Sequence, residues 1–374
     1  MSRRVLLATR PLTPPWDEAS KNFAYFLGKT VQEHVLTLLS SVETLPGLMP
    51  QAEVRQIFSR AHFDWRAKLE LLSYLRQARS EYDITHYLFT PTKFNTRVLK
   101  LLAYPRKGKT IQTIATLRQD LYSPEELKSL LFADHITVYT QATQSKLRSL
   151  GFQNVTCIYP GIDLDLYKPQ AKDPAVLKTY GLSETDFLAI YPGEYTRLGV
   201  TDILFDAWVD FFQKNPTSNI KFLFACRIKN EADRIKKESL EQETKKLGLE
   251  GSILFQNTHA TVNMAALYNT ADVVLFPVEN LRGKFDVPLV IIEAYACAKP
   301  VILSDLSAFQ EFSNPDICVT VPRGSGQAIT DSVAYLSQNV GEREKISAGA
   351  RPFGGAHFDL KKTAEAYEKL YASL

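Results

Sequence analysis

The sequence predicts an α/β protein made of two doubly wound parallel-sheet halves facing a cleft. Three observations carry that expectation. Short β-branched apolar runs alternate with helix-length segments along most of the chain, the pattern of parallel strands joined by crossover helices. The alternation breaks once, at Tyr159-Pro160-Gly161-Ile162-Asp163 and the Lys- and Pro-rich residues 168–174, and then restarts. At 374 residues the chain is too long for one ordinary core. The break divides it into a first domain at 1–170 and a second at 171–357, with a closing helix near 358–374 that can pack back on the first.

The first strand is Val5-Leu6-Leu7-Ala8, and a Pro-rich loop from Thr9 to Asp17 follows it. Asp17 or Ser20 is placed to cap the next helix. Ligands of parallel sheets lie beyond the C-terminal ends of the strands, which makes Arg10, Trp16 and Lys21 candidates for binding an acceptor. Residues 33–39 form the second strand. Residues 64–79 read as an amphipathic helix with Trp65, Leu69, Leu72 and Leu75 apolar and Arg66, Lys68, Arg76 and Arg79 basic. Such a helix rests on a membrane surface or packs on a sheet with its charges in water; the second is the expectation. Strands follow at 83–88, 110–115, 134–139 and 155–159, with a helix at 144–150 stopped by Gly151. His86, in the 83–88 strand, is a further candidate pocket residue beside its structural alternative.

After the break, strands are expected at 187–191, 221–226, 252–255, 273–277 and 301–303. The helix at 201–214 has a core stripe of Ile203, Leu204, Ala207, Trp208 and Phe211, whereas residues 230–247 form a charged, solvated helix. Between the last two strands runs Gly283-Lys284-Phe285-Asp286-Val287-Pro288-Leu289-Val290-Ile291-Ile292-Glu293-Ala294-Tyr295-Ala296-Cys297-Ala298-Lys299-Pro300. Pro288 suits the first turn of a helix, and the helix is apolar nearly all round, so it is expected to be buried. Glu293 then sits where a carboxylate needs a partner. It suits hydrogen bonding to sugar hydroxyls, or capping of a neighbour's N–H groups.

Bulk composition excludes several classes. An apolar fraction of 45% and a charged fraction of 23% are those of a globular protein, and a net charge of +3 does not argue for nucleic acid. Cys157, Cys226, Cys297 and Cys318 lie far apart and lack metal-ligand or CxxC spacing, and a reduced, cytoplasmic setting fits best. The first apolar run is too short for a signal peptide, and no stretch reaches membrane-spanning length. No Gly-rich phosphate turn follows the first strand, which argues against a nicotinamide dehydrogenase.

The order of segments resembles glycosyltransferase family 4, retaining sugar-nucleotide transferases of GT-B fold. The resemblance covers almost the whole chain. It rests on Asp83-Ile84-Thr85-His86, on the 133–143 segment, on Ile158-Tyr159-Pro160-Gly161-Ile162-Asp163 with Tyr167-Lys168-Pro169, and most of all on residues 288–302. It implies a retaining, metal-independent hexosyl transfer from a UDP-sugar or GDP-sugar to a glycan, lipid-linked or small-molecule acceptor. No separate cofactor is implied, and a peripheral contact at the inner face of a membrane is compatible with it. Glu293 matches the second of two glutamates that hold the donor; Phe285 takes the place of the first, with Asp286 beside it as a stand-in. The Arg and Lys that grip the diphosphate fall at Glu194 and Leu198, leaving Arg197, Arg227 and Lys229 to supply positive charge near Gly193. On this resemblance Asp286, Glu293 and Arg227 are the catalytic candidates. Gly193, Arg197, Lys229, Val287, Pro288 and Leu289 join them around the donor, and Arg10, Trp16, Lys21 and His86 would face the acceptor. The replacements also leave room for a degenerate protein that binds nucleotide or glycan without transfer. A nucleotide-sugar epimerase of the same fold is the third reading.

Overall fold

A computed structural model describes every residue except Met1, Pro15, Asp17, Thr90, 257–262 and 282–284, together with the side chain of Ala19. The chain divides into two compact units, Met1–Gly161 with Leu360–Leu374, and Ile162–Asp359.

The first unit runs β1 (Arg4–Leu12), α1 (Ala19–Thr30), β2 (Val35–Ser40), β3 (Glu53–Gln56), α2 (Trp65–Gln77), β4 (Ile84–Tyr87), α3 (Lys93–Leu102), β5 (Lys109–Ile114), α4 (Pro124–Leu130), β6 (His135–Val138), α5 (Gln141–Ser149) and β7 (Val155–Cys157). Its seven strands are all parallel, in the order β3-β2-β1-β4-β5-β6-β7. The order reverses between β1 and β4, a doubly wound sheet. Side-chain caps set the helix starts: Asp64 accepts from the Ala67 N–H at 3.0 Å, and Ser123 with Glu126 forms a reciprocal capping box ahead of Pro124. One core layer holds α1 and the C-terminal helix Leu360–Ser373 through Leu27, Ala364, Tyr367 and Tyr371. The other holds α2 and α3 through Leu71, Leu75 and Leu99.

Two expectations change here. β1 continues through Arg10 and Pro11 to Leu12, where a loop was expected from Thr9 onward. Its pairing with β2 is broken between Leu7 and Leu12, the interval in which Pro11 has no N–H to give the ladder. On α2 the buried stripe is Ala67, Leu71 and Leu75, so Trp65 and Leu69 lie outside the core.

The second unit runs α6 (Pro174–Tyr180), β8 (Phe187–Tyr191), α7 (Thr201–Lys214), β9 (Ile220–Phe224), α8 (Glu231–Lys246), β10 (Ile253–Phe255), α9 (Met264–Thr270), β11 (Val273–Phe276), α10 (Leu289–Ala296), β12 (Val301–Ser304), a 3₁₀ turn (Ser307–Phe312), β13 (Cys318–Val321), α11 (Gly326–Gln338) and α12 (Val340–His357). Its six parallel strands lie in the order β10-β9-β8-β11-β12-β13, with the switch point between β8 and β11. Pro174, expected in a linker, begins α6 instead: Asp173 caps it and Gly181 ends it at φ 64°. No helix among the described residues is long and apolar enough to cross a membrane.

Candidate functional site

The loops after β8, β9 and β11 lie at the C-terminal edge of the second sheet, on both sides of its switch point, where open α/β sheets bind ligands. After β8 the chain turns at Pro192-Gly193. A Cβ on Gly193 would stand 2.0 Å from the Tyr191 ring, so this turn accepts only glycine. The next residue, Glu194, is buried, and its carboxylate binds two cations. Arg197 Nε lies 2.7 Å from Oε2, and Lys229 Nζ, from the loop after β9, lies 2.8 Å from Oε1. Asp233 secures the same corner by accepting from Thr196 Oγ1 at 2.7 Å and from the Lys229 N–H at 3.2 Å. Two cations expected to meet a diphosphate are thus brought together, on a carboxylate of the chain itself.

Beyond β11, Val287 is fully buried and Phe285 and Asp286 are half-buried. Gly283 and Lys284, which open the stretch singled out in the sequence, lie outside the described residues. Pro288 stands just before α10 as its N-cap, and Leu289 is the first helical residue. One turn further on, Glu293 accepts a hydrogen bond from Tyr268 Oη at 2.9 Å, and Tyr167 is a second hydroxyl partner. Enclosure pushes the Glu293 carboxyl above the ordinary carboxylate range, while the two tyrosines and the positive charge of Arg227 pull it back down. Arg351 of α12 fixes this arrangement from behind. Its guanidinium donates to the carbonyls of Tyr167 at 2.6 Å and Leu164 at 3.2 Å, and to that of Ala296 at the end of α10.

Several contributors have no sequence signal of their own. Tyr268 lies in a seven-residue helix without a motif, although Tyr167 belongs to the Tyr-Lys-Pro turn noted above. Tyr195 Oη, Gln256 Oε1, Glu279 Oε1 and Asn280 Oδ1, on the loops after β8, β10 and β11, are buried without hydrogen-bond partners among the described residues. A Cβ on Gly199 would stand 3.2 Å from Glu279 Cβ, and one on Gly324, after β13, would stand 3.8 Å from Glu279 Oε1. Buried polar atoms without partners cost about 1–3 kcal/mol each, which makes Glu279 and Asn280, side by side after β11, candidates for contact with a ligand. The described residues contain no group of His, Cys, Asp and Glu arranged to hold a metal.

The acceptor candidates lie in the first unit. Arg10 pairs with Glu18 and stands 5.8 Å over the Phe63 ring. Trp16 stacks on Tyr25 at 4.0 Å, and Lys21 is buried on α1. Asp17, proposed as a cap, lies outside the described residues. His86 is fully buried, with Nδ1 2.8 Å from Tyr371 Oη and Nε2 2.6 Å from Thr113 Oγ1. Both ring nitrogens are occupied by protein groups, which is a structural post.

Residues 188–339 match the family model for glycosyl transferases group 1. The chain carries a glycosyl transferases group 1 domain. That domain spans β8 to α11 and contains Glu194, Arg197, Arg227, Lys229 and Glu293. The chain is 26% identical over 225 residues to D-inositol 3-phosphate glycosyltransferase of Rhodococcus opacus, covering 58% of this chain and 47% of the relative. It is 22% identical over 322 residues to the Corynebacterium urealyticum protein of the same name, covering 81% and 74%. For most such relatives the match spans half of the relative or less. Among solved structures, Anabaena HepE in complex with UDP and glucose aligns over 100% of both chains at a TM-score of 0.73 and 17% identity. Sucrose-phosphate synthase from Thermosynechococcus elongatus does so at 0.73 and 16%. These likenesses show the fold: two Rossmann-like units of GT-B type, the second of which contains the group 1 domain.

Proposed function

We propose that this protein is a retaining glycosyltransferase of family 4 that moves a hexosyl unit from a UDP- or GDP-sugar to a glycan, lipid-linked or small-molecule acceptor. The observation that carries the reading is Glu293. It is a carboxylate at the ligand edge of a group 1 domain, gripped by two tyrosine hydroxyls and acted on by the charge of Arg227. Two hydroxyl donors leave lone pairs on that carboxylate for the vicinal hydroxyls of a nucleotide sugar. Arg227, with Arg197 and Lys229, would stabilise charge developing on the departing diphosphate. Asp286, Glu279 and Asn280 would meet sugar hydroxyls, and Val287, Pro288 and Leu289 bring the chain to that edge. Proton removal from the acceptor would be assisted by the leaving-group oxygen on the donor's own face, a route with no place for a metal. Arg10, Trp16 and Lys21 remain the acceptor candidates.

Relatives named as glycosyltransferases and a structural neighbour in complex with UDP-glucose support this reading. The test is a screen of UDP- and GDP-sugars read by nucleotide release and by product mass, with Glu293→Ala run in parallel. Transfer by the wild type and its loss in the variant are the expected outcomes; wild-type turnover by the variant would sink the assignment. A second reading is favoured by Glu194, whose carboxylate already occupies Arg197 and Lys229. A protein that binds nucleotide by calorimetry and yields neither product nor free sugar would be a binder, while release of nucleotide with an altered free sugar would mark an epimerase.

A further inference from the structure

Helices α2 and α3 pack side by side over one layer of the first unit, and both turn large apolar side chains to water. On α2 these are Trp65 and Leu69, 64% and 56% exposed and one turn apart. On α3 they are Phe94 and Leu101, 76% and 77% exposed and two turns apart, with Leu102 beside them at 41%. Scattered single leucines on a surface need no explanation, whereas five large apolar groups on two adjoining helices do.

The charges on the two helices are predominantly basic, with Lys93 paired to Glu126 of α4 and Asp64 capping α2. Arg66, Lys68 and Arg76 on α2 and Lys93, Arg97 and Lys100 on α3 are all exposed. The one acidic residue on either helix is Glu70, which accepts from the Ser59 N–H. Just past α3, Arg106 and Lys107 add to the field. Arg66 folds over the Trp65 ring at 5.2 Å, so on α2 basic and apolar groups adjoin. Protein–protein interfaces deplete lysine at their centres, while apolar anchors among Lys and Arg heads are the mark of helices lying on anionic lipid. Long basic stems let the charge reach phosphate while the apolar body stays below.

We propose that α2 and α3 form a docking face for an anionic lipid bilayer, with Trp65, Leu69, Phe94 and Leu101 entering the headgroup layer and the basic side chains engaging lipid phosphates. This stands independently of the transferase reading, because bilayer binding needs neither donor nor acceptor.

The test is flotation of the full chain with vesicles of phosphatidylglycerol and phosphatidylcholine, against vesicles of phosphatidylcholine alone. The protein is expected to float with the anionic vesicles only, and to be largely released at about 0.5 M salt. Of the three tryptophans, Trp208 is buried and Trp16 is stacked, so a blue shift on vesicle addition that Trp65→Phe removes would report insertion. Phe94→Ser/Leu101→Ser and, separately, Arg97→Glu/Lys100→Glu should each weaken binding about tenfold or more. These side chains are exposed, so folding is preserved. Ile235→Ser, at an exposed apolar site of the second unit, should change nothing. Absence of flotation with anionic vesicles would overturn the proposal. So would flotation indifferent to both double variants, or a lipid-free dimer that Phe94→Ser/Leu101→Ser dissociates while vesicle binding persists.

Discussion

Each unit encloses one ionisable side chain among tyrosines, and the two are treated in opposite ways. In the first, His86 on β4 is sealed in the core and belongs to a closed network. Its Nε2 meets Thr113 Oγ1, which also contacts Thr137 Oγ1 at 2.7 Å and Tyr367 Oη at 3.1 Å, while Nδ1 meets Tyr371 Oη. Burial holds the imidazole neutral, with its pKa pushed down to about 3. In the second, Glu293 sits on a helix at the ligand edge of the sheet, only partly covered, with two tyrosines, a nearby positive charge and lone pairs to spare. On the loop after β11, Glu279 and Asn280 keep buried oxygens without donors among the described residues. A network that satisfies itself holds a fold together; one left incomplete at a strand end keeps its capacity for something from outside.

Exchanging the fates of the two residues should expose that division most strongly. Glu293→Ala should lower turnover by about 10²-fold, the scale of losing substrate positioning, while thermal melting by circular dichroism shifts little, because the Tyr268 and Tyr167 hydroxyls left unpaired are offset by relief of an enclosed carboxylate. His86→Ala should act in reverse. It leaves Thr113 and Tyr371 hydroxyls unpaired in the core and opens a cavity, at about 2–4 kcal/mol in denaturant unfolding, with nucleotide affinity preserved in the folded protein. A stable His86→Ala, or an unfolded Glu293→Ala, would reverse the assignment of structural and functional roles.

Their response to pH sharpens the contrast. The folded pKa of His86 lies below the unfolded value of about 6.5, so between these limits the unfolded chain binds more protons. Stability should therefore fall as pH drops through that window, by up to about 1.4 kcal/mol per unit. For Glu293 the folded value is raised, the native state holds the extra proton, and stability should fall as pH rises from the unfolded value through the folded one. Unfolding curves of His86→Ala and Glu293→Gln across pH should each lose their own slope and keep the other.

Much of this contrast was legible in the sequence, and the reasons for the rest are physical. Period and composition placed β8 and α7 to the residue, because an unbroken apolar run and an aromatic stripe have few other uses. They missed α3, a ten-residue helix whose burial does not follow its apolar residues: Phe94 and Leu101 are exposed while Thr96 and Leu99 are buried. On α2 the sequence grouped Trp65 and Leu69 with Leu72 and Leu75 on one apolar face, whereas Ala67, Leu71 and Leu75 are the residues buried. Glu293 was found because a lone carboxylate in an apolar helix demands a partner. Which hydroxyl supplies it, Tyr268 on α9, depends on a neighbour that only packing reveals. For His86 the sequence left a pocket role and a structural role both open, for a related reason. A polar residue in a strand looks the same whether it faces a ligand or a buried tyrosine from a helix some 285 positions away in sequence.

A smaller effect is expected at Glu194. Its carboxylate keeps Arg197 and Lys229 on an internal anion, so a diphosphate must share or displace it. Glu194→Gln removes that competitor at constant size. Because both cations are more than a third exposed, the gain is screened: UDP should bind roughly three- to tenfold tighter by calorimetry, and less so in high salt. Weaker binding would mean that Glu194 holds the two cations in their working positions, and would draw this corner toward the closed kind of network seen around His86.

The smallest expected change tests how the helix carrying Glu293 ends. α10 closes with Lys299 N–H donating to Ala294 C=O and Ala298 N–H to Tyr295 C=O, both at 2.9 Å, which forces Ala298 into the left-handed region at φ 54°. Elsewhere among the described residues every positive φ is taken by glycine, including Gly108 and Gly151 in the first unit. A Cβ in this conformation costs about 1–2 kcal/mol, part of which a glycine returns through the greater freedom of its unfolded chain. Ala298→Gly should therefore raise stability by about 0.5–1 kcal/mol, read as a higher midpoint in denaturant unfolding. The hydrogen bonds that stop α10 are unchanged by the substitution, and Glu293 stays one turn above them, so donor affinity should hold. If the midpoint rose and donor affinity fell, the strain at Ala298 would be helping to set Glu293 in place, and stability in the second unit would be traded against its site as it is not in the first.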